Sequence, residues 1–249
     1  MDARVAKGQW KLRIDDLDGP RVVKGSTDSI CRILEAFGLT WDGAPFLQSL
    51  RFERYQSVLE YLMQQGRTFH CRCSRKDWQN HTVYPGTCRS SGHDEGRAIR
   101  FKTTLNTFQW QDLEQGRIEV NVGSDIGDFM LKNAHGIFSY QLASAVDDVD
   151  MGVTDVVRGA DLMAVTAAHL MIQEAIGGDF IRYRHLPLAL SNTGEKLSKA
   201  TDAPAVEAKQ ASEVLQRAFL HLGLGTVDLD VPHQMLDAAI AKWPHRKTR

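Results

Sequence analysis

The chain has 249 residues, of which 43% are hydrophobic and 24% are charged, a composition typical of one globular domain or one domain with a small appendage. With 30 basic and 31 acidic residues, it lacks the strong positive charge of a protein that coats nucleic acid nonspecifically. No apolar run follows Met1 or approaches the ~18 residues of a membrane span, so we expect a cytoplasmic protein.

The first predicted elements are a short strand and a helix. Residues 11–15 alternate between polar and apolar, which is typical of a strand. Ser26 or Thr27 is expected to cap a helix that ends near Gly38. Cys31 lies in the apolar pattern of this helix, and we interpret it as a small buried hydrophobic residue.

A second helix is predicted from Ser49 to Gly66, because apolar residues recur there at spacings of three and four. Beyond it the pattern becomes irregular as far as Asp125. Turn residues and a polar stretch interrupt this segment, so we interpret it as an insertion.

Regular signals return in the second half of the chain. Residues 154–158 predict a strand, and the helical stripe that follows includes His169, which we interpret as a satisfied core histidine. Residues 182–190 predict another extended run, and the segment after Lys199 is short and helical. The order strand, helix, insertion, strand, helix, strand predicts an α/β fold with a parallel sheet.

Three of the four cysteines cluster in the predicted insertion, and this spacing points to a metal. Cys71 and Cys73 bring two thiolates close together, and Cys88 follows a turn, so the loop can wrap a tetrahedral zinc ion. The alternative, three reduced thiols in a loop, is less favoured because exposed thiols are reactive.

A tetrahedral zinc ion needs a fourth ligand, and the residues leave its identity open. His81, His93 and the phenol oxygen of Tyr84 are the candidates. Zinc chemistry by itself favours a histidine, because phenolate is an uncommon ligand. A site closed by four protein ligands would be structural rather than catalytic.

Two further groups of residues can carry chemistry. Residues 194–199 contain Lys196 and Lys199 on a loop after an extended run, where ammonium groups can bind the phosphates of ATP as pyrophosphate leaves. By itself, this lysine pair is weak evidence, and a solvated loop without a function is the favoured interpretation. The second group is a set of dispersed polar residues: Asp15, Tyr140, Asp147, Asp148 and Arg158.

Asp15 and Arg158 stand at the carboxyl ends of predicted strands, which is where ligands bind in open α/β sheets. A carboxylate that faces an arginine suits a zwitterionic substrate with an extra carboxylate. A structural ion pair is the commoner alternative.

Taken together, these segments resemble the class I glutamyl-tRNA synthetases. The resemblance runs from about Gly8 to Lys199 and rests on many motifs in the order and spacing of that family. They are Leu12–Asp18, Trp41–Gly43, Gln48–Arg51, Cys71–Ser74, Tyr84–Arg89, Asp128–Phe129, Tyr140–Ala143, Val146–Asp148, Val157–Leu162, His185–Leu188 and Lys196–Lys199.

The resemblance implies a class I aminoacyl-tRNA synthetase fold, with a Rossmann-like parallel sheet, a zinc-binding insertion and a short helical C-terminal segment. We therefore expect the first half of the catalytic domain at residues 1–65 and the zinc-binding insertion at 66–125. The second half is expected at 126–200, and a helical segment without an anticodon-binding domain at 201–249.

The cysteine spacing, and an end only 50 residues after Lys199, resemble the branch of the family that lacks an anticodon-binding domain. This implies activation of glutamate with ATP and transfer to the queuosine base at the wobble position of tRNA(Asp). The implied partners are glutamate, ATP with Mg²⁺ and the anticodon stem-loop of that tRNA. We expect a monomer without a membrane partner.

The resemblance also implies residue roles. Asp15 would hold the substrate ammonium, Arg158 would pair with a carboxylate of glutamate, and Tyr140 would line the same pocket. Lys196 and Lys199 would act in catalysis, and Lys199 would contact the ATP phosphates. A structural zinc ion would be held by Cys71, Cys73, Tyr84 and Cys88. Asp15 departs from the family, which usually has glutamate at this position.

A larger departure concerns the first residues. The family begins with a strand, a loop and a helix that carries a His-Ile-Gly-His-type motif, which receives the phosphates. Nothing before Lys7 resembles it, so exposed sheet backbone and apolar surface are expected. A misplaced start codon, a true fragment and a degenerate protein are the three explanations. We prefer the first, because residues needed only for catalysis are present elsewhere.

Two other functions stay open on the sequence. A catalytic fragment of a glutamyl-tRNA synthetase would need an anticodon domain that the last 50 residues can hardly supply. An inactive, truncated synthetase-like module that binds zinc and RNA is the other, favoured if the first segment is absent in the cell.

Overall fold

The computed structural model describes residues 1–19, 22–104, 106–191, 194–197 and 204–243. Their helices are α1 (Asp2–Val5), α2 (Ser26–Ala36), α3 (Phe52–Gln64), α4 (Tyr140–Asp150), α5 (Met163–Ala175), α6 (Ala211–His221) and α7 (Pro232–Lys242). Their strands are β1 (Arg13–Ile14), β2 (Phe46–Leu47), β3 (Thr68–Cys71), β4 (Ala98–Phe101), β5 (Thr107–Asp112), β6 (Gly116–Asn121), β7 (Met130–Lys132), β8 (Asp155–Gly159) and β9 (Arg182–Leu186).

The chain divides into two compact units. The first unit comprises Met1–Gln48 and Pro187–Arg249, and the second comprises Ser49–Leu186. The division predicted at residues 65, 125 and 200 follows the resemblance rather than compactness, and it stays a prediction.

The first unit contains a small parallel sheet and a pair of C-terminal helices. β1 pairs with β2 in parallel, with Arg13 opposite Phe46. Phe219 of α6 and Met235 of α7 are almost completely buried, so the two helices share an apolar core. The strand predicted at residues 11–15 and the helical C-terminal segment are therefore present, although the strand is shorter.

Three predictions about the helices were wrong. The N-cap of α2 is Gly25, which has φ 82° and no side chain, so neither Ser26 nor Thr27 caps this helix. The left-handed turn at this glycine sets the start of the helix. α3 begins after Arg51 rather than at Ser49, which lies in a preceding 3₁₀ turn. Cys31 is only partly buried, since α2 has no fully buried residue.

The second unit contains two sheets. β3, β4 and β7 form an antiparallel sheet with β4 in the centre. The other sheet has the order β6-β5-β9-β8, in which β9 pairs in parallel with both β5 and β8. β6 is the antiparallel hairpin partner of β5. The predicted parallel pairing is therefore confirmed in this sheet.

The segment predicted to be irregular contains four regular strands, β3 to β6. Along β5 the buried positions are Trp110 and Asp112, and the exposed positions are polar. A charged side chain on the buried face hides the apolar alternation, and this is why the strand could not be recognised.

β8 lies at the edge of its sheet, where β9 is its only neighbour among the described strands. Val157, in the middle of β8, is 41% exposed. The helix that follows, α5, ends before Gly177, as predicted. His169 on this helix is completely buried. None of the described helices is long and apolar enough to cross a lipid bilayer.

Candidate functional site

The cysteine cluster, defined as Cys71, Cys73, Tyr84 and Cys88, forms where the end of β3 meets the loop before β4. The three sulfur atoms all lie within 4.8 Å of one another. The Sγ atoms of Cys73 and Cys88 are 3.4 Å apart, and the Cys71 thiol donates to Tyr84 Oη over 3.4 Å. The structure therefore brings together the four residues proposed as metal ligands.

Tyr84 is held in the cluster by packing and by a backbone hydrogen bond. Its ring lies 3.7 Å from the Arg100 guanidinium carbon, and its Oη accepts the backbone N–H of Cys88 over 2.7 Å. Within the described residues, no histidine nitrogen joins the three sulfur atoms. The two histidines considered as a fourth ligand, His81 and His93, are thus not brought to the cluster.

Gly96 is part of the wall of this cluster. A Cβ atom at this position would lie 2.8 Å from the carbonyl oxygen of Cys71 and 2.9 Å from its nitrogen. Real Cβ atoms do not approach the backbone so closely, so the loop can pass over Cys71 only with glycine at position 96.

The electrostatics of the cluster favour one thiolate. Burial opposes ionisation of Cys88, but hydrogen bonds from the backbone of Arg72 and from Tyr84 outweigh it and lower the pKa of Cys88 to about 7. Burial and a hydrogen bond with Cys71 raise the pKa of Tyr84. Without a cation, the cluster therefore holds a neutral phenol beside an easily ionised thiol.

A second group of polar residues, the arginine network, comprises Asp112, Arg158, Thr166, His169 and His185. Arg158, on β8, donates through Nε to His185 Nε2 over 3.2 Å and through Nη2 to Thr166 Oγ1 over 2.6 Å. Its Nη1 lies 3.2 Å from His169 Nδ1. The guanidinium thus contacts one threonine and two histidines, none of which carries a negative charge.

Asp112, at the end of β5, contacts the network through His185. Its Oδ2 lies 2.6 Å from His185 Nδ1, and its Oδ1 accepts the backbone N–H groups of Glu114, Gln115 and His185. Burial opposes ionisation of Asp112, but these hydrogen bonds, led by that of Gln115, outweigh it and lower its pKa. Burial lowers the pKa of His185 more than Asp112 raises it. An ionised Asp112 therefore faces a neutral His185.

One aromatic ring contacts the same arginine, and a second packs against its histidine partner. The guanidinium carbon of Arg158 lies 5.0 Å from the Tyr183 ring centroid. Tyr140, the first residue of α4, packs against His169 with ring centroids 5.2 Å apart. Of the predicted glutamate-binding residues, Tyr140 and Arg158 thus meet through His169.

The other predicted site residues lie in the first unit. Asp15 directly follows β1, is 41% exposed and accepts Arg13 Nε over 2.8 Å. Lys196 is exposed and forms an isolated antiparallel bridge with Leu190. Lys199, the predicted phosphate ligand, lies outside the described residues.

Asp147 and Asp148, which the sequence grouped with these residues, are buried on α4. Asp147 is completely buried and accepts hydrogen bonds from Tyr55 Oη over 2.8 Å and from Arg51 Nε over 2.9 Å. These bonds join α4 to α3, so Asp147 has a structural role in this unit.

Sequence reasoning missed three members of the arginine network. His185 belongs to a motif that carried the resemblance, but no role was assigned to it. No sequence pattern marked Asp112 or Thr166 as functional, because single carboxylates and single hydroxyls are common on any strand or helix. Only the fold brings them to Arg158.

The sequence matches the catalytic domain of the class I tRNA synthetases of the E and Q type over residues 2–222. The glutamyl-Q tRNA(Asp) synthetase of Pseudomonas putida KT2440 is 40% identical over 98% of this chain and 83% of its own length. That of Chromobacterium violaceum is 42% identical over 98% of this chain and 85% of its own length.

Among solved structures, the glutamate tRNA ligase of Elizabethkingia meningosepticum, determined in complex with its amino acid, superposes with a TM-score of 0.77. The match covers 96% of this chain and 59% of the ligase, at 24% sequence identity. At this identity the similarity shows the fold alone.

Proposed function

Because this chain belongs to the class I tRNA synthetases of the E and Q type, and within them to the glutamyl-Q tRNA(Asp) synthetases, we propose that it activates glutamate with ATP and transfers it to the queuosine base of tRNA(Asp). The chain is a ligase of the aminoacyl-tRNA synthetase class with a mixed α/β fold. The proposal concerns its substrates and the roles of its residues.

The observation that carries the proposal is the environment of Arg158. Three of its five N–H groups face side chains that carry no negative charge, those of His185, His169 and Thr166. The other two have no partner among the described residues, and none of the carboxylates in that part of the chain forms an ion pair with this guanidinium. A partly buried arginine without a counter-ion is suited to bind a carboxylate through two parallel hydrogen bonds.

Glutamate has the groups that this site requires. One of its carboxylates would bind Arg158, beside the ring of Tyr140. Asp15 would hold its ammonium. The exposed carboxylate of Asp15 accepts Arg13 Nε over 2.8 Å, and a surface ion pair of this kind can be exchanged at little cost. Asp15 is one methylene shorter than glutamate, so we expect weaker binding of the ammonium than a glutamate would give.

The first chemical step proposed is attack by the glutamate α-carboxylate oxygen on the α-phosphorus of ATP. The bond to pyrophosphate breaks as the acyl-phosphate bond forms, with Mg²⁺ accompanying the nucleotide. Lys196 and Lys199 would act as catalytic cations here, and Lys199 would bind the phosphates, where ammonium groups stabilise the charge that develops on the departing pyrophosphate. In the second step, a hydroxyl of the queuosine base attacks the acyl carbon, AMP leaves, and the hydroxyl proton passes to solvent.

The cysteine cluster would hold a structural zinc ion through Cys71, Cys73, Tyr84 and Cys88. Three thiols within 4.8 Å of one another and an adjacent phenol oxygen fit the tetrahedral, sulfur-rich sites that zinc prefers. A cation would also stabilise the thiolates and the phenolate, which burial otherwise disfavours. With four protein ligands, the ion has no open position for chemistry.

The proposal is tested with the purified chain in two assays. The first measures glutamate-dependent ATP–pyrophosphate exchange without tRNA. The second measures transfer of labelled glutamate to tRNA(Asp) that carries either queuosine or guanosine at the wobble position. Exchange together with queuosine-dependent transfer supports the proposal.

Other results would point to the alternatives. Transfer to a tRNA 3′ end would favour a glutamyl-tRNA synthetase fragment. Tight RNA binding without exchange would favour a non-enzymatic module. The monomeric state stays a prediction, which sedimentation of the same sample would measure.

A further inference from the structure

We propose that Asp112, His185 and Thr166 are positioning residues that orient the Arg158 guanidinium for glutamate, with Asp112 acting by fixing the tautomer of His185. This inference rests on the proposed function, in which Arg158 binds a carboxylate of the substrate. None of the three residues needs to touch glutamate itself.

The two carboxylate oxygens of Asp112 bind different partners. Oδ1 accepts three backbone N–H groups, at 2.9 Å from Glu114, 2.9 Å from Gln115 and 3.2 Å from His185. Oδ2 faces His185 Nδ1 at 2.6 Å. Because Asp112 is 1% exposed and His185 is completely buried, water does not compete for these bonds.

The contact with Asp112 determines which nitrogen of the His185 imidazole carries the proton. An ionised carboxylate only accepts hydrogen bonds, so Nδ1 of His185 must carry the proton that it donates to Asp112. In a neutral ring, Nε2 is then a bare acceptor. Its single lone pair therefore faces two donors, the Nε–H of Arg158 at 3.2 Å and the hydroxyl of Thr166 at 2.9 Å, which share it as a three-centre hydrogen bond.

Thr166, His185 and Arg158 contact one another in a closed ring. Thr166 Oγ1 accepts Nη2–H of Arg158 over 2.6 Å, and its single hydroxyl hydrogen faces both His185 Nε2 at 2.9 Å and the Leu162 carbonyl oxygen at 3.3 Å, with His185 the shorter contact. His185 and Thr166 thus bind adjacent N–H groups along one side of the guanidinium. Since the guanidinium is planar, fixing these groups also fixes the directions of the two N–H groups that remain for a ligand.

The sharpest test is Asp112→Asn, which keeps the size of the side chain. The three backbone N–H groups require an oxygen at Oδ1, so the new NH₂ group must face His185 Nδ1. Nδ1 then becomes the acceptor, and the imidazole proton moves to Nε2, where it opposes the Nε–H of Arg158. The substitution reverses the tautomer and removes the acceptor for the arginine.

We expect Asp112→Asn to raise KM for glutamate in the exchange assay by about tenfold or more, since a hydrogen bond to a charged group is lost. We expect kcat to change less than about threefold, because the residue acts on binding. Nitrogen NMR of the His185 side chain should show protonated Nδ1 in the wild type and protonated Nε2 in the variant.

A second pair of variants removes and restores the hydroxyl. Thr166→Val should raise KM for glutamate about tenfold, and Thr166→Ser should restore it. Thr103→Val is the matched control: Thr103 is also buried and its hydroxyl bonds a carboxylate, that of Asp128, over 3.0 Å. The control should lose stability while its KM for glutamate stays unchanged.

The inference would be overturned by a wild-type His185 protonated at Nε2, or by unchanged KM in both Asp112→Asn and Thr166→Val. It would also be overturned if Thr103→Val raised KM as much as Thr166→Val, since the effect would then be general destabilisation. Failure of the proposed function would look different: Arg158→Gln itself would leave KM for glutamate unchanged, or calorimetry would detect no glutamate binding to the wild type.

Discussion

Within the second unit, the cysteine cluster takes its four side chains from 18 consecutive positions, whereas the arginine network takes its residues from β5, β8, β9 and α5. The cysteine cluster contains few regular elements, so a metal would organise its loop. The arginine network is buried between a helix and parallel strands, so the fold organises it before any ligand binds. On the proposed function, the short loop would need its ion for structure, whereas the folded sheet would prepare a site for substrate without one.

The largest effect that tests this comparison is expected for Cys88→Ser. Removal of a ligand should reduce bound zinc from about one per chain to nearly none. It should also reduce the free energy of unfolding by roughly 3 kcal/mol or more, which is roughly 6 °C or more in Tm for a chain of this size. Elemental analysis and thermal melting measure the two quantities.

Cys31→Ser is the control for this substitution, because it makes the same chemical change at a partly buried cysteine that lies on α2 outside the cluster. It should retain zinc and most of the stability. Metal-free wild-type protein that melts at the same temperature as the zinc-bound protein would show that the loop does not depend on an ion.

The next effect concerns the arginine network. Arg158→Gln should lower kcat/KM for glutamate in the exchange assay about 100-fold, because a carboxylate would lose its charged partner in a partly buried site. Arg158→Lys should recover little, since an ammonium lacks the planar fork. Both variants should melt near the wild-type temperature, unlike Cys88→Ser.

Arg182→Gln provides the control, since Arg182 lies on the neighbouring strand and its side chain is 58% exposed in a surface ion pair with Asp155. Its kcat/KM for glutamate should change less than about twofold. A 100-fold loss in this control would mean that any charge change on the sheet disturbs the reaction.

A smaller effect is expected for Tyr84→Phe. Loss of the phenol oxygen should leave three thiolates and weaken zinc binding about tenfold or more, as measured by competition with a chelator. His81→Ala and His93→Ala should bind zinc as tightly as the wild type. Full zinc affinity in Tyr84→Phe, or loss of zinc in either histidine variant, would assign the fourth ligand elsewhere.

The smallest effect is the pH dependence of stability that His185 causes. Burial keeps the pKa of His185 below its ordinary value, so below about pH 6.5 the unfolded chain binds a proton that the folded chain does not. The contribution of His185 to the free energy of unfolding is therefore complete above that pH. It decreases as the pH falls, by at most about 1.4 kcal/mol per pH unit.

Thermal melting between about pH 7 and pH 5 measures this dependence, with His185→Gln as the comparison. The variant should lose less stability than the wild type over the same range. Equal slopes would indicate that His185 protonates in the folded protein at its ordinary pKa.

The sequence predicted those parts of the molecule whose residues lie close together along the chain. β8, α5 and β9 follow from their local patterns, and the cysteines and Tyr84 are close enough in sequence for their meeting to be anticipated. β5 was missed because Asp112 occupies a buried position of a strand. Its pairing with His185 spans 73 positions, and no periodicity of the chain encodes a contact of that kind.

The cap of α2 was missed for another physical reason. Serine and threonine are common helix caps, but their presence does not require a side-chain hydrogen bond when a glycine in a left-handed conformation already begins the helix. Arg158 was predicted as a substrate ligand from the resemblance. The hydrogen bonds that hold it depend on tertiary structure and could not be predicted.

β5 pairs in parallel with β9 and sets Asp112 opposite Tyr183. This pairing decides which segments can be exchanged between relatives without separating residues that contact each other. A chimera that takes residues 66–125 from a relative would keep its own Arg158 but acquire a foreign partner for His185. If Arg158 binds glutamate as proposed, amino-acid affinity would then be inherited partly with the segment that carries the cysteine cluster. Crossovers placed between β4 and β5 would exchange the cysteine cluster alone and leave the arginine network with its original sheet.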